Sequence, residues 1–192
     1  MRKKDRLARL KAAVFSGSRE AAYGACQALY HFGGGFSKTA QRRCHRFLVS
    51  LLDHEDAHIR NAAALTFRHN RASWAVAPLL CALHNPANLR SRGTLAYALE
   101  QLNCRRHLGS LFRALFGAAG NSWEVQMHIL TILETQTFTY TPAEIRHIQQ
   151  QWESLKLDWN RLNNIPVGSG AKGALDEKLI QQFVDQYAAA TD

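Results

Sequence analysis

Cysteine and histidine residues between positions 44 and 58 come closest, by type and spacing, to a reactive site. Cys44 and His45 are adjacent, and His54 and His58 are four positions apart. A zinc site needs three or four such ligands converging within about 2.0 to 2.3 Å of the metal. His54 lies in a predicted turn and His58 at the next helix start, so they do not share a helical face as in an HExxH pair. We therefore expect surface histidines here, with no metal and no cofactor.

The short motifs that mark common enzyme classes are missing. The chain has no nucleophile elbow, no set of protein-kinase motifs and no dinucleotide-binding fingerprint. Cys26, Cys44, Cys81 and Cys104 occur singly within apolar helical patterns, which favours reduced core residues over a disulfide framework. No window approaches 18 uncharged apolar residues. We predict a non-catalytic protein of the cytoplasm, without a membrane segment.

Positive charge is concentrated at the N-terminal end of the chain. The formal net charge is +9, and residues 1–52 hold 11 Lys/Arg against 2 Asp/Glu, whereas residues 108–192 hold 6 against 9. This asymmetry indicates that one end meets an anionic surface, whether of nucleic acid, an acidic protein or anionic lipid. A solubilising basic face explains the same pattern, and the sequence leaves both interpretations open.

Apolar residues recur at helical spacing and point to an all-α protein of repeated helix pairs. Apolar content is 46%, and hairpin signals between alternating runs are missing. Residues 48–69 align with residues 79–102, so that Ile59-Arg60 falls on Leu89-Arg90. One helical hairpin cannot bury its own apolar face, and stacked neighbours solve that problem. We therefore expect a stack of hairpins.

The turn after Leu52 and the segment Ile59-Arg60-Asn61-Ala62-Ala63-Ala64-Leu65 resemble the helix-turn-helix unit of HEAT-repeat proteins. That family places Asp in the turn and Val-Arg with small residues in the second helix. The resemblance is weaker in residues 79–102 and 111–133 and only topological in 6–32. It implies a short right-handed αα-superhelix of about four hairpins, with a concave surface built from the second helices. Asp53 is replaced by His84 in the second unit, so the polar ladder typical of the family would be incomplete.

The domain organisation follows from composition changes after the repeats. We predict a HEAT-like repeat domain over residues 1–157, a linker over 158–173 and a C-terminal helix over 174–192. Thr141 and the following Pro-Ala-Glu mark a strong helix start. The last helix is predicted to cap the open end of the stack. A linker of this kind also permits a mobile helix that folds into a groove or into a partner.

Arginine residues form the predicted binding surface. The planar guanidinium pairs bidentately with carboxylate or phosphate groups, which suits contact with an anionic partner. Arg60 and Arg90 occupy matching repeat positions, where a structural bond to a turn carboxylate or to carbonyls of an adjacent repeat is the alternative. The predicted contacts are Arg42, Arg43, Arg46, Arg60, Arg68, Arg71, Arg90, Arg92 and Trp74.

Two hypotheses of function remain. The first is a protein-protein interaction adaptor, or an inhibitor or immunity-type protein, whose partner has an acidic surface. The second is nucleic-acid binding through Arg42, Arg43, Arg46 and the N-terminal Lys/Arg cluster. Some HEAT-like DNA glycosylases hold damaged DNA with aromatic and acidic residues beside a basic channel. That resemblance extends the second hypothesis to Trp74, Trp123 and Glu124, although packing in the core or at its edge also explains both tryptophans. The oligomeric state is left open.

Overall fold

The protein is helical throughout the part of the chain that the structure describes. The computed structural model describes residues 3–32, 37–88, 92–117, 122–163 and 177–189. These ranges contain α-helices and short 3-10 turns and no strand, which confirms the all-α prediction for them. None of their helices is both long and apolar enough to span a membrane.

The chain divides into two compact units. The N-terminal unit is Met1–Asn103 and the C-terminal unit is Cys104–Asp192, so the division falls inside the predicted 1–157 repeat domain. The described α-helices of the N-terminal unit are α1 (Lys3–Ala13), α2 (Arg19–Phe32), α3 (Lys38–Ser50), α4 (Ala57–His69), α5 (Val76–His84) and α6 (Arg92–Leu99).

The helices of the N-terminal unit pack chiefly against α2 and α4. α2 packs against α1, α3 and α4, and α4 also packs against α6. α5 packs against α6, while the 3-10 turn Leu51–Asp53 joins α3 to α4 and contacts both. Small side chains permit this close approach, because Ala62, Ala63 and Ala64 of α4 are all buried. The core of this unit therefore lies around α4.

Side-chain hydrogen bonds connect consecutive turns of the N-terminal unit. Asn85 Nδ2 donates to Asp53 Oδ1 over 2.9 Å. Asn88, which is fully buried, donates through Nδ2 to the carbonyl oxygens of Leu52 at 3.2 Å and Ala82 at 2.8 Å. A buried amide that satisfies two turn carbonyls holds the ends of α3 and α5 at a defined spacing.

The C-terminal unit is a separate helical cluster. α7 packs against both α8 and α9, and α10 packs against α9. Ile180, Phe183 and Val184 of α10 are buried, and Trp152 Nε1 donates to Gln181 Oε1 over 2.7 Å, so α10 is docked within this unit. Its described helices are α7 (Leu108–Phe116), α8 (Trp123–Thr135), α9 (Pro142–Asn163) and α10 (Glu177–Ala189).

The start of α9 matches the predicted helix signal at Thr141, but the Glu144 side chain caps α7 and not its own helix. Thr141 Oγ1 accepts a hydrogen bond from the backbone N–H of Glu144 over 3.2 Å, as an N-cap does. The Glu144 carboxylate accepts from the backbone N–H of Gly109 over 2.9 Å and so caps α7. At its other end α9 extends to Asn163, into the predicted linker. The rest of that linker, residues 164–173, lies outside the described residues.

We expect Glu144→Ala to lower the free energy of unfolding of the protein by about 1 kcal/mol, because the first turn of α7 loses its anionic cap. Urea unfolding followed by circular dichroism measures this loss. Glu153→Ala on the same helix is the matched control, since its carboxylate pairs with Lys156 at an exposed position. A surface pair of this kind contributes little. An equal loss in both variants would contradict the assignment of Glu144 as the α7 cap.

A second substitution tests the same contact from the other side. A Cβ atom at Gly109 would lie 2.8 Å from Glu144 Oε1 and would displace the carboxylate. Alanine otherwise favours a helix over glycine. Gly109→Ala should therefore lower the free energy of unfolding by about 1 kcal/mol more in the wild-type background than in the Glu144→Ala background. Additive effects of the two substitutions would show that the contact contributes nothing.

Candidate anion-binding surface

Three exposed arginine side chains of α3 have no hydrogen-bond or ion-pair partner in the part of the chain that the structure describes. Ser37 starts this helix, since its Oγ accepts from the backbone N–H of Ala40 over 3.1 Å, and Cys44 and Leu48 form the buried face. The outward face follows from the helical period. Within the described ranges, no hydrogen bond or ion pair involves these three exposed guanidinium groups. They are Arg42, Arg43 and Arg46.

Cations of α1 lie over aromatic rings. The Arg6 guanidinium carbon lies 5.8 Å from the ring centroid of Phe32, and Lys11 Nζ lies 4.4 Å from that of Phe47. The ring of Phe15, 48% exposed, meets Phe47 edge-on at 6.4 Å. Cation–π contacts hold positive charge near a surface without neutralising it. Exposed apolar and cationic groups therefore occur together on this part of the N-terminal unit.

The charge excess belongs to the N-terminal unit. Residues 1–103 contain 16 Lys/Arg and 6 Asp/Glu, whereas residues 104–192 contain 8 and 9. A single-sign field of this size attracts anions over about a Debye length and repels other cations. The structural division of the chain thus separates a basic unit from a nearly neutral one.

A stack of three rings lies where α2, α3 and the turn before α5 meet. The rings of His45 and Trp74 are 4.3 Å apart and nearly parallel, and Tyr30 lies 5.2 Å from His45 and 6.5 Å from Trp74. The edge contact of Trp74 with Phe67 measures 5.2 Å. Trp74 nevertheless remains 42% exposed, so it packs at the edge of the core, one of the two settings expected for it. Its exposed surface is available for stacking.

His45 is the titratable member of this stack. Its Nε2 is inaccessible to solvent, and no described residue forms a hydrogen bond with it. Burial lowers the pKa of His45 from its ordinary value of 6.5, because the charged imidazolium is poorly solvated there. The neutral ring is therefore the form that the stack favours.

Arg60 has a structural role. The residue is only 5% exposed, and its Nη1 donates to the carbonyl oxygens of His54 and Glu55, the latter over 2.8 Å. Those carbonyls belong to the turn that leads into α4. The guanidinium thus fastens that turn to its own helix. This is a structural role, but the acceptors of these two hydrogen bonds are carbonyls of the preceding turn, whereas the sequence suggested a turn carboxylate or an adjacent repeat. We leave Arg60 out of the candidate surface.

The side chain of Arg68 on α4 contacts residues at the end of α6. Its Nη1 lies 3.2 Å from a carboxylate oxygen of Glu100 and also donates to the carbonyl oxygen of Tyr97. The guanidinium carbon lies 3.6 Å from the centre of the Tyr97 ring. A partly buried ion pair of this kind links the two helices and leaves little of the charge for a partner.

Arg71 ends α4 in the left-handed conformation, with φ of 48°. Its N–H donates to the carbonyl of Arg68 over 3.1 Å, and the N–H of Ala72 donates to that of Phe67 over 3.0 Å. This is the Schellman arrangement, in which glycine is the usual residue. The Arg71 side chain is exposed and remains a candidate contact.

Two predicted contacts lie near the start of α6. Arg92 is the first residue of this helix and is half-buried. Arg90 and its neighbour Leu89 lie outside the described residues. The predicted contacts that are exposed among the described residues are therefore the α3 arginines, Arg71 and Trp74, and the cations of α1 belong to the same unit.

The cysteine and histidine residues are not gathered into a metal site. Among the described residues, no group of three or more His, Cys, Asp or Glu side chains is placed to hold a metal ion. His54 Nδ1 accepts a hydrogen bond from the backbone N–H of Asp56 over 3.0 Å, and His58 is exposed at the start of α4. The arrangement offers no set of converging ligands in this part of the chain.

The cysteines differ in exposure. Cys26, Cys44 and Cys104 are buried, as expected of core residues, but Cys81 is exposed and the core prediction is wrong for it. It occupies the outward side of α5, where the surrounding apolar pattern conceals its position. Burial raises the pKa of Cys26 and of Cys104 to about 12. Those two thiols are poor nucleophiles because they stay protonated at neutral pH.

Trp123 is the other residue that the sequence pattern misplaces. It opens α8 with 65% of its surface exposed, which differs from the expected packing in the core or at its edge. The sequence did not indicate that Tyr30 and His45 stack with Trp74. They meet Trp74 only in the fold, because the three residues come from separate helical segments and no local spacing marks them.

Comparison with protein families, with curated proteins and with solved structures found no match to this chain. Its function must therefore be inferred from its own residues and their arrangement.

We expect Arg60→Met to lower the free energy of unfolding by about 2 kcal/mol, because two turn carbonyls lose their donor. Arg43→Met, at an exposed position of the same unit, should change it by no more than about 0.5 kcal/mol. Chemical denaturation of both variants measures the difference. Similar values for the two would show that Arg60 is not a structural residue.

Stability should fall in mild acid because of His45. Its pKa is lowered in the folded state, so the unfolded chain takes up the proton first as the pH falls below about 6.5. The free energy of unfolding should therefore decline more steeply between pH 7 and pH 5 in the wild type than in His45→Phe. Phenylalanine keeps a ring in the stack and cannot titrate. Parallel curves for the two proteins would contradict the assignment.

Proposed function

We propose that this chain is a non-catalytic binding module built as a short right-handed αα-superhelix of HEAT-like hairpins. The serial packing of α2, α4 and α6 supports this proposal, as do the hydrogen bonds from Asn85 and Asn88 to the preceding turn. In such an architecture each pair covers the apolar face of its neighbour. The docked α10 is proposed to close the end of the stack.

The partner is proposed to be a protein with an acidic surface. The observation that carries this proposal is the row of exposed α3 arginines, which lack carboxylate partners among the described residues. Exposed aromatic side chains accompany them, with Phe15 beside Lys11 and Phe47, and Trp74 on the ring stack. Protein interfaces derive most of their binding energy from such aromatic and arginine residues. The chain would thus act as an adaptor, or as an inhibitor or immunity-type protein that occupies another protein's surface.

Nucleic acid is the alternative partner, and the ring stack is the observation that favours it. Bases stack on exposed aromatic side chains, and a basic surface follows the phosphate backbone. Trp74 offers an exposed ring in the same unit as the α3 arginines. The likeness to HEAT-like DNA-repair proteins belongs to this alternative.

The cellular location is proposed to be the cytoplasm. Free thiols at Cys26, Cys44, Cys81 and Cys104 suit a reducing compartment. No cofactor is part of the proposal.

Charge reversal of α3 tests the proposed surface. We expect Arg42→Glu/Arg43→Glu/Arg46→Glu to weaken binding of a Glu-rich peptide that carries Phe and Leu by about 10- to 100-fold, because three attractive charges become repulsive. The matched control is Arg106→Glu/Arg113→Glu/Arg146→Glu, which makes the same change at exposed positions of the C-terminal unit. Fluorescence anisotropy with labelled peptide gives both affinities.

The salt dependence separates the two partners. Peptide binding that relies on aromatic contacts should persist from about 50 mM to about 200 mM salt, whereas DNA or RNA binding should fall steeply as counterions are released. Tight binding of duplex or single-stranded oligonucleotides, with no binding of the acidic peptide, would favour the alternative. Equal losses in the two triple variants, or no binding of either probe at low salt, would remove the α3 surface from the proposal.

A further inference from the structure

Six large apolar side chains are exposed among the described residues, and three of them have local partners. Phe15 contacts Phe47, Trp74 lies in the ring stack, and Tyr97 lies under the Arg68 guanidinium. Trp123 and Met127 of α8 have no ring or cation contact with any described residue, although they are 65% and 43% exposed. An exposed tryptophan next to an exposed methionine is a common mark of an interaction site.

These two residues begin a continuous ridge along α8. Trp123, Met127, Thr131 and Thr135 follow one another at intervals of four, so they form one i±4 row of the helix. Thr131 Oγ1 donates to the carbonyl of Met127 over 2.9 Å, and Thr135 Oγ1 donates to that of Thr131 over 2.6 Å. Both hydroxyl groups are therefore satisfied within the helix, and their burial under a partner leaves no donor unpaired.

The ridge is rigid and of useful length. Val125, Ile129 and Leu133 are buried and fix the opposite face of α8 in the C-terminal unit. With a rise of 1.5 Å per residue, α8 is about 20 Å long, which accommodates some four turns of a partner helix. A row of this type fits the groove between side-chain rows of another helix. The surface thus matches an amphipathic helix that presents an apolar stripe.

The charge beside the ridge selects the partner further. Glu124 and Glu134 are exposed at the two ends of α8, and this helix contains neither lysine nor arginine. The exposed carboxylates would attract lysine or arginine side chains that border an apolar stripe and would repel acidic ones.

We propose that the outer face of α8 docks a basic amphipathic helix of another protein, with Trp123 and Met127 as its apolar anchors. This surface is opposite in charge to the α3 surface, so each should reject the partner of the other. The proposal stands independently of the acidic partner proposed for the N-terminal unit.

The test uses the full chain and two synthetic helical peptides of about 18 residues, long enough to cover the ridge. Both carry the same leucine stripe, bordered by lysine in one and by glutamate in the other. We expect the lysine peptide to bind at least about tenfold more tightly than the glutamate peptide to the α8 ridge. Its affinity should fall at least about tenfold in Trp123→Ala/Met127→Ala, which removes the anchors.

Two further variants keep the outcome interpretable. Leu157→Ala removes an equally exposed apolar side chain of the same unit and should leave the affinity unchanged. Glu124→Gln/Glu134→Gln preserves shape and should weaken the lysine peptide about three- to tenfold at low salt. Circular dichroism shows whether the double alanine variant folds. If it does not, Glu124→Gln/Glu134→Gln still tests whether the α8 surface binds the lysine peptide.

Three results would overturn the proposal. The first is that the lysine peptide binds Trp123→Ala/Met127→Ala as tightly as the wild type. The second is that Leu157→Ala loses as much affinity for this peptide as Trp123→Ala/Met127→Ala does. The third is that the wild type does not bind the lysine peptide and that sedimentation velocity detects a wild-type dimer which Trp123→Ala/Met127→Ala abolishes. In that last case the ridge would serve a second copy of this chain.

Discussion

The burial of α4 is the constraint on which the N-terminal unit depends. This helix packs against α2 and α6, and the turn Leu51–Asp53 adjoins it as well. Ala62, Ala63 and Ala64 make that possible, because larger side chains at these positions would force the neighbouring helices apart. With α4 covered in this way, the polar side chain of Arg60 at its start becomes buried. The turn carbonyls that accept from its guanidinium take the place of water as hydrogen-bond partners of the buried cation.

The narrow buried face of α3 explains how this helix can display charge. α3 buries Cys44 and Leu48 and leaves the rest of its circumference partly or fully open. Arginine residues on such a face are compatible with folding because solvent still surrounds them. A basic excess confined to one unit nevertheless creates self-repulsion, which an anionic partner would relieve. Relief of this repulsion is one reason to propose an anionic partner for the unit.

Helical periodicity predicted the all-α fold class for the described residues. Residues 59–65, which the repeat resemblance assigned to a second helix, lie within α4, and Thr141 caps α9 as its sequence context indicates. Periodicity identifies the apolar face of a helix, but it does not say which neighbour covers the remaining faces. For that reason Cys81 and Trp123, both set in apolar surroundings, proved to be exposed. The sequence left both roles open for Arg60, and only the position of the turn carbonyls decides between them.

The two proposed surfaces differ in the range over which they act. The α3 arginines act through a field that extends about a Debye length, and therefore influence chiefly the rate and selectivity of encounter. The ridge of Trp123 and Met127 acts only in contact, where the burial of apolar surface slows dissociation. A protein that carries a long-range cationic surface on one unit and a short-range apolar ridge with acidic flanks on the other distinguishes its partners by charge before either contact forms. This division of chemistry between units is what an adaptor with two dissimilar partners requires.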